Sequence, residues 1–291
     1  MRVKLLILIF FIAAAITFQY YFNQTSITKL SFNISTTEIK QGEYIKLTID
    51  NVNHHEIRVT TDMSIEIESN PYKINNTIYV YIPIPIEQKE GNYAINIFNR
   101  DTLVKKYDIK VISGVFGEQH LTIDPKLLKE ASSNKAALEY KEALTKATSY
   151  NVKEKLFEDE FLMPVNGKIT TSFGLKRYTN NNFTPSRHNG IDIACNLDTP
   201  VKAVASGKVV FSDYITSAGN FIIIDHGLGL LTYYAHLNKR IVKELEIVKP
   251  GDIIGYVGTT GFSTGPHLHF NITLNKVSIN PRLFIKNVSL D

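Results

Sequence analysis

The chain has a single cysteine, Cys195, in 291 residues. It can form no internal disulfide, and it cannot build a multi-cysteine zinc knuckle or an iron–sulfur cluster. It also lacks any large excess of one charge. The formal net charge of +4 is too small to argue for nucleic acid as a partner. Long hydrophobic runs are missing except at the extreme N-terminus, which excludes a polytopic membrane protein. There is no alternation of strand and helix patterns of the kind that builds a doubly wound nucleotide-binding sheet. The glycine-rich stretch Gly255–Gly265 has no Gly-Lys-Ser/Thr ending and no helix pattern after it, so it is neither a phosphate loop nor a dinucleotide fingerprint. With 44% hydrophobic and 21% charged residues, the composition is that of a globular protein of about two domains, not a disordered or collagen-like chain.

The N-terminus carries Arg2 and Lys4, then an apolar run from Leu5 to Ile16 containing Ala13, Ala14 and Ala15. This order predicts a secretory signal over residues 1–23, with cleavage after Ala15. Phe18, Tyr20, Tyr21 and Phe22 extend the apolar character, so an uncleaved anchor in the cytoplasmic membrane is the competing expectation. Both place the remainder outside the cytoplasm, in a periplasm, cell envelope or extracellular space. Cys195 lies too far along the chain for lipid attachment at a processed N-terminus.

Residues 24–115 alternate apolar and polar side chains in short runs such as Tyr44–Ile49, Ile65–Glu68 and Tyr93–Phe98. Such period-2 runs predict about seven strands and a small Ig-like β-sandwich. His54 and His55 are adjacent, would face opposite ways in a strand, and are expected in a loop. Residues 116–160 read as a helical connector. Asp124-Pro125 supplies an N-cap and a first-turn proline, and Ala136 through Ala147 place apolar residues at helical spacing. From residue 161 to 291 the pattern is β again, dense in glycine, with strands expected at Val201–Phe211, Phe221–Asp225, Leu230–Ala235, Ile253–Val257 and Leu268–Leu274. The fold class expected is therefore mainly β. Residues 161–291 hold 13 basic and 8 acidic residues, whereas 24–160 hold 17 and 20. A weakly basic C-terminal half suits an anionic polymer.

Five of the eight histidines fall between positions 188 and 269. His188 and Asp192 stand four apart, and His267 and His269 two apart. In extended chain, even spacing keeps both members of each pair on one face. His236 ends another expected strand. Imidazole and carboxylate groups suit zinc, and a catalytic zinc takes three protein ligands, leaving a position for water. The two groups beyond three could act as base and donor in a hydrolysis. His226 and Asp225 read as turn residues.

In combination and order these segments resemble the M23 family of zinc metallopeptidases, the lysostaphin and LytM-type peptidoglycan endopeptidases. The resemblance runs from about Met163 to Phe284. It is carried by Pro164–Gly174, His188-Asn-Gly-Ile-Asp192, Thr199–Ala203, Gly219–Gly227, Tyr234-Ala-His-Leu237 and Gly258–Phe270. It implies an antiparallel β catalytic domain with an open groove. It further implies one zinc ion held by His188, Asp192 and His269, with His236 and His267 as the unligated catalytic pair. The implied substrate is the peptide of bacterial peptidoglycan, which also fits the export signal. Asp198 and Asn271 depart from the family's usual glycine and glutamate, but neither is an implied site residue. Asn180–Asn182 with Phe183 is expected to form a loop that shapes the groove. Cys195 is expected to be a buried, inert thiol. The alternative function is a non-hydrolytic wall-binding or hydrolase-regulating module.

Overall fold

A computed structural model describes residues 29–52, 55–63, 70–158, 160–180, 182 and 185–285. The N-terminal signal, His54, the Ile65–Glu68 run, and Asn181 and Phe183 of the polar loop lie outside the described residues.

Among the described residues eight strands occupy the N-terminal part: β1 Ser31–Ile34, β2 Glu38–Lys40, β3 Tyr44–Asp50, β4 Ile57–Thr61, β5 Pro71–Ile74, β6 Thr77–Pro83, β7 Gly91–Asn99 and β8 Thr102–Ile112. They form two four-stranded sheets, of order β1-β3-β6-β5 and β2-β8-β7-β4. The period-2 pattern explains the packing. Ile45, Leu47 and Ile49 of β3, Ile78, Val80 and Ile82 of β6, and Ile95 and Ile97 of β7 point inward to one shared apolar core. The other face of the first sheet is not left to water. Tyr81 is buried there, and Tyr44, Tyr72 and Tyr79 pack with it against the C-terminal half.

The connector is only partly helical. It opens with a strand, β9 Glu118–Leu121, that pairs in parallel with β11 Lys176–Thr179. Helix α1 Pro125–Ala131 follows, with the Asp124 side chain accepting from the backbone of Lys126 and Leu127. Helix α2 Asn134–Ser149 is capped in turn by Ser133. The break between the helices falls at Ser132-Ser133, whose hydroxyls bond the backbone locally.

The C-terminal half is built on a ten-stranded, antiparallel sheet. Its strands are β10 Lys168–Thr171, β13 Ile191–Ala194, β14 Pro200–Lys202, β15 Gly207–Ile215, β16 Gly219–Asp225, β17 Leu230–Arg240, β18 Ile247–Val248, β19 Ile253–Val257, β20 His267–Leu274 and β21 Val277–Ile279, while β12 Ser186–Arg187 pairs with β11. The expected strand Val201–Phe211 is two strands, since Ala203–Ser206 breaks the pairing. Alternation divides the sheet's faces. Ile191, Ile193, Leu268, Phe270, Ile272 and Tyr234 face one core. Phe221, Ile223, Tyr233 and Ala235 face the other side, where α2 lays Ala143 and Ala147 against Phe211 and Ile215. Helix α2 covers only part of that face. The part across β13 and β20 stays open as a groove. Among the described residues no helix is long and apolar enough to cross a membrane.

Candidate active site

Strand β20 puts His267, His269 and Asn271 on the open face and Leu268 and Phe270 in the core. Its neighbour β13 pairs Asp192 directly opposite His269, so the two side chains meet across the ladder. His188 arrives by a different route from the one its even spacing implied. It precedes β13 in irregular chain, and Gly190 between them allows a close approach. A Cβ at Gly190 would lie 2.4 Å from the Phe270 carbonyl oxygen and 3.0 Å from the His269 ring. The result brings three groups together. His188 Nε2 lies 3.0 Å from Asp192 Oδ1 and 3.0 Å from His269 Nδ1, which is itself 2.8 Å from Asp192 Oδ1.

His236 joins this face against the alternation. Ala235 pairs with His269, so the next residue of a regular strand would point into the core. The backbone of His236 instead takes φ 62°, and the register shifts on both edges of β17 here. The left-handed residue turns the imidazole back to the open face at a strain cost of roughly 1–3 kcal/mol. Its Nδ1 lies 2.9 Å from the Thr260 carbonyl and its ring 4.8 Å from that of His267. His267 Nδ1 is 2.8 Å from the Gly265 carbonyl, and His267 Nε2 is 3.8 Å from Asp192 Oδ1. Each carbonyl takes an Nδ1–H, so both rings offer Nε2 to the same space. All five side chains line one groove of about 590 Å³, to which the connector adds Leu121, Leu128 and Tyr140.

The donor set fits a metal ion. Two ring nitrogens and a carboxylate oxygen in mutual contact cannot all present lone pairs, so ring protons or a cation must lie among them. His188 already gives its Nδ1–H to the Ser172 carbonyl at 3.0 Å, which points Nε2 at the cluster as metal-ligating histidines require. Among the described residues His188, Asp192 and His269 form the one such cluster able to hold a metal. Burial alone would raise the Asp192 carboxyl, but hydrogen bonds from His188 and His269 and their charges hold it well below the ordinary carboxylate range. Burial lowers His269. It also pushes His236 down to about 3, helped by the charges of His269 and His267.

His226 stands outside this group. It is fully buried and bonded to the Ser206 carbonyl and the Thr232 hydroxyl, each at 2.7 Å. Cys195 is half-buried, not buried, with its thiol pushed up by desolvation. The sequence pattern does not single out Arg177 or Tyr140, which also line the groove. An arginine in a polar strand reads as surface charge, and a tyrosine in an amphipathic helix reads as core.

Residues 186–281 match the model of peptidase family M23. Over 116 residues the chain is 39% identical to the peptidoglycan DD-endopeptidase ShyC of Vibrio cholerae, a match covering 36% of this chain and 27% of that protein. Over 94 residues it is 44% identical to the DD-carboxypeptidase/endopeptidase Mpg of Neisseria meningitidis, covering 32% and 22%. The chain thus spans only about a quarter of the length of these relatives. A crystal structure from Pseudomonas aeruginosa, described as an M23 peptidase, is similar in fold over 82% of this chain and 92% of its own, with a TM-score of 0.57 and 23% identity. The segment that holds all five residues of the cluster, residues 186–281, is the one that matches peptidase family M23.

Proposed function

We propose that the protein is a zinc-dependent endopeptidase that hydrolyses peptide bonds in the stem peptides or cross-links of bacterial peptidoglycan. The observation that carries this reading is the meeting of His188, Asp192 and His269 with two further histidines, both open at Nε2, in one groove. The first three would hold the metal. A zinc ion there would polarise the scissile carbonyl and acidify a water molecule. His236 stays neutral in its buried setting and can accept a proton at Nε2. His267 Nε2 faces the same space, and between them the two rings take the water's proton and return one to the leaving amine. The Thr260 and Gly265 carbonyls hold both rings in the tautomer this requires. The names of the Vibrio and Neisseria relatives favour a cross-link peptide as substrate, and such a substrate places the enzyme in the cell envelope.

On this reading the chain divides into a signal or anchor over residues 1–23, a β domain over 24–115, a connector over 116–160 and the peptidase over 161–291. The sheet orders β1-β3-β6-β5 and β2-β8-β7-β4 support an Ig-like arrangement of the β domain, since they follow the two-sheet strand order of that fold. The deciding experiment is muropeptide release from purified sacculi by protein lacking residues 1–23, with and without a zinc chelator. Chelator-sensitive release, with the new amine and acid ends read by mass spectrometry, is expected. Absence of release by folded, zinc-loaded protein on sacculi of several cross-link types would reject the proposal.

A further inference from the structure

Arg177 lies on β11 and has no part in the chemistry above, yet it touches the centre of the site. Its Nη2 donates to Asp192 Oδ2 at 2.5 Å. The other oxygen, Oδ1, is the one in contact with His188 and His269. The carboxylate is thus divided, with one oxygen in the cluster and one on the guanidinium. The pair is largely removed from water, with side chains 23% and 10% exposed. There a charge-assisted bond is strong and an unpartnered charge costly. The same guanidinium reaches back to the connector, where its Nε donates to Gln119 Oε1 at 3.4 Å. Gln119 is also the register partner of Arg177 in the parallel β9–β11 pairing. A planar guanidinium can hold both groups at once, and an ammonium cannot reproduce that fork.

We propose that Arg177 is a positioning residue that turns Asp192 Oδ1 toward the metal ligands, and that Gln119 in turn sets Arg177, so that strand β9 of the connector is part of the metal centre. The inference rests on reading His188, Asp192 and His269 as a metal site. Substrate carboxylate binding by the same guanidinium is the competing use, and the two differ in what they do to metal affinity.

The test is a zinc titration of the full chain against a chromophoric chelator for the parent, R177A, R177K and Q119L, with KM and kcat for muropeptide release measured at saturating zinc. Removing a group that orients a ligand typically weakens metal binding about 10- to 100-fold, and R177A is expected in that range. R177K should recover part of the loss, and Q119L should weaken zinc by a few-fold, with KM near the parent's in both. Parent-like zinc affinity in R177A overturns the proposal, and a raised KM alongside it assigns the guanidinium to substrate. If R177A does not fold, R177K and Q119L decide, and parent-like affinity in both overturns it. A parent chain that binds no zinc overturns the metal reading itself, an outcome distinct from any difference among the variants.

Discussion

At the scale of single residues, the proposed function separates groups that would hold a metal from groups that would move a proton. His269→Ala removes a member of the cluster, and zinc content and turnover should be lost together, which metal analysis and muropeptide release would show side by side. His236→Ala should behave differently. Its ring is tied to Thr260 and lies beside the cluster without entering it, so zinc should remain bound. Turnover should fall by roughly 10²–10⁴-fold, the usual share of a positioned acid–base group. A His236→Ala enzyme with near-parent kcat would reassign the proton transfer to His267. His226 tests the same physics away from the chemistry. It is wholly buried, and desolvation lowers it to about 4. The unfolded chain, with an ordinary histidine near 6.5, binds the extra proton first as pH falls. Stability is therefore complete above about 6.5 and is lost as pH drops toward 4, by up to the order of 3 kcal/mol. Thermal melts from pH 7 to 4.5 should show the decline, and His226→Asn should flatten it.

At the scale of elements, the groove is shaped by two segments of the connector. Helix α2 lies on the sheet through Ala143 and Ala147, both fully buried, and through the Tyr140–Phe221 ring contact at 6.2 Å. Polar contacts reinforce it, with Glu139 accepting from the Thr216 backbone at 2.7 Å and Lys146 bonding Glu244 at 2.7 Å. Alanine at these positions lets the helix approach closely, so Ala147→Leu should overpack the contact and cost about 1–3 kcal/mol, measurable by chemical denaturation. Strand β9 is held by its ladder and by Asn180, whose amide bonds the Ile123 backbone in both directions at 2.8 and 2.9 Å. A spacer would need none of these contacts. The connector's amphipathic spacing made its helices legible in the sequence. Its β9 strand was not, because four residues of mixed polarity give no period to read.

At the scale of the whole molecule, the N-terminal sheets and the rest of the described chain share one apolar junction. Tyr44 stacks on Phe284 at 5.2 Å, and Tyr81 meets Phe157 at 6.4 Å. Asn275 closes the junction from the C-terminal side, donating to the Tyr81 carbonyl at 2.8 Å and accepting from the Tyr72 hydroxyl at 3.3 Å. Calorimetry should therefore record one cooperative transition for the two halves. Asn275 has φ 46°, so Asn275→Gly deletes both bonds without adding backbone strain. It should cost about 1–3 kcal/mol and broaden or split the transition, because a buried carbonyl loses its donor.

The strands' faces were determined by sequence alone, because a side-chain period of two is written directly in the order of residues. His267 and His269 could be placed on one face, with Leu268 behind them, before any fold was known. The proposed chemistry was legible in the residue types, their short spacings and the family resemblance they carry together, since all three survive in one dimension. Three features were decided only by tertiary structure. The turn of His236 onto the open face needs a left-handed residue and a register shift set by neighbouring strands. The contact of Arg177 with Asp192 depends on how β11 lies against β13, two segments whose spacing in sequence carries no period. The tyrosine face of β6 reads as solvent-facing until a second domain covers it. Each depends on which segments become neighbours, and that choice is made by the packing of the whole chain.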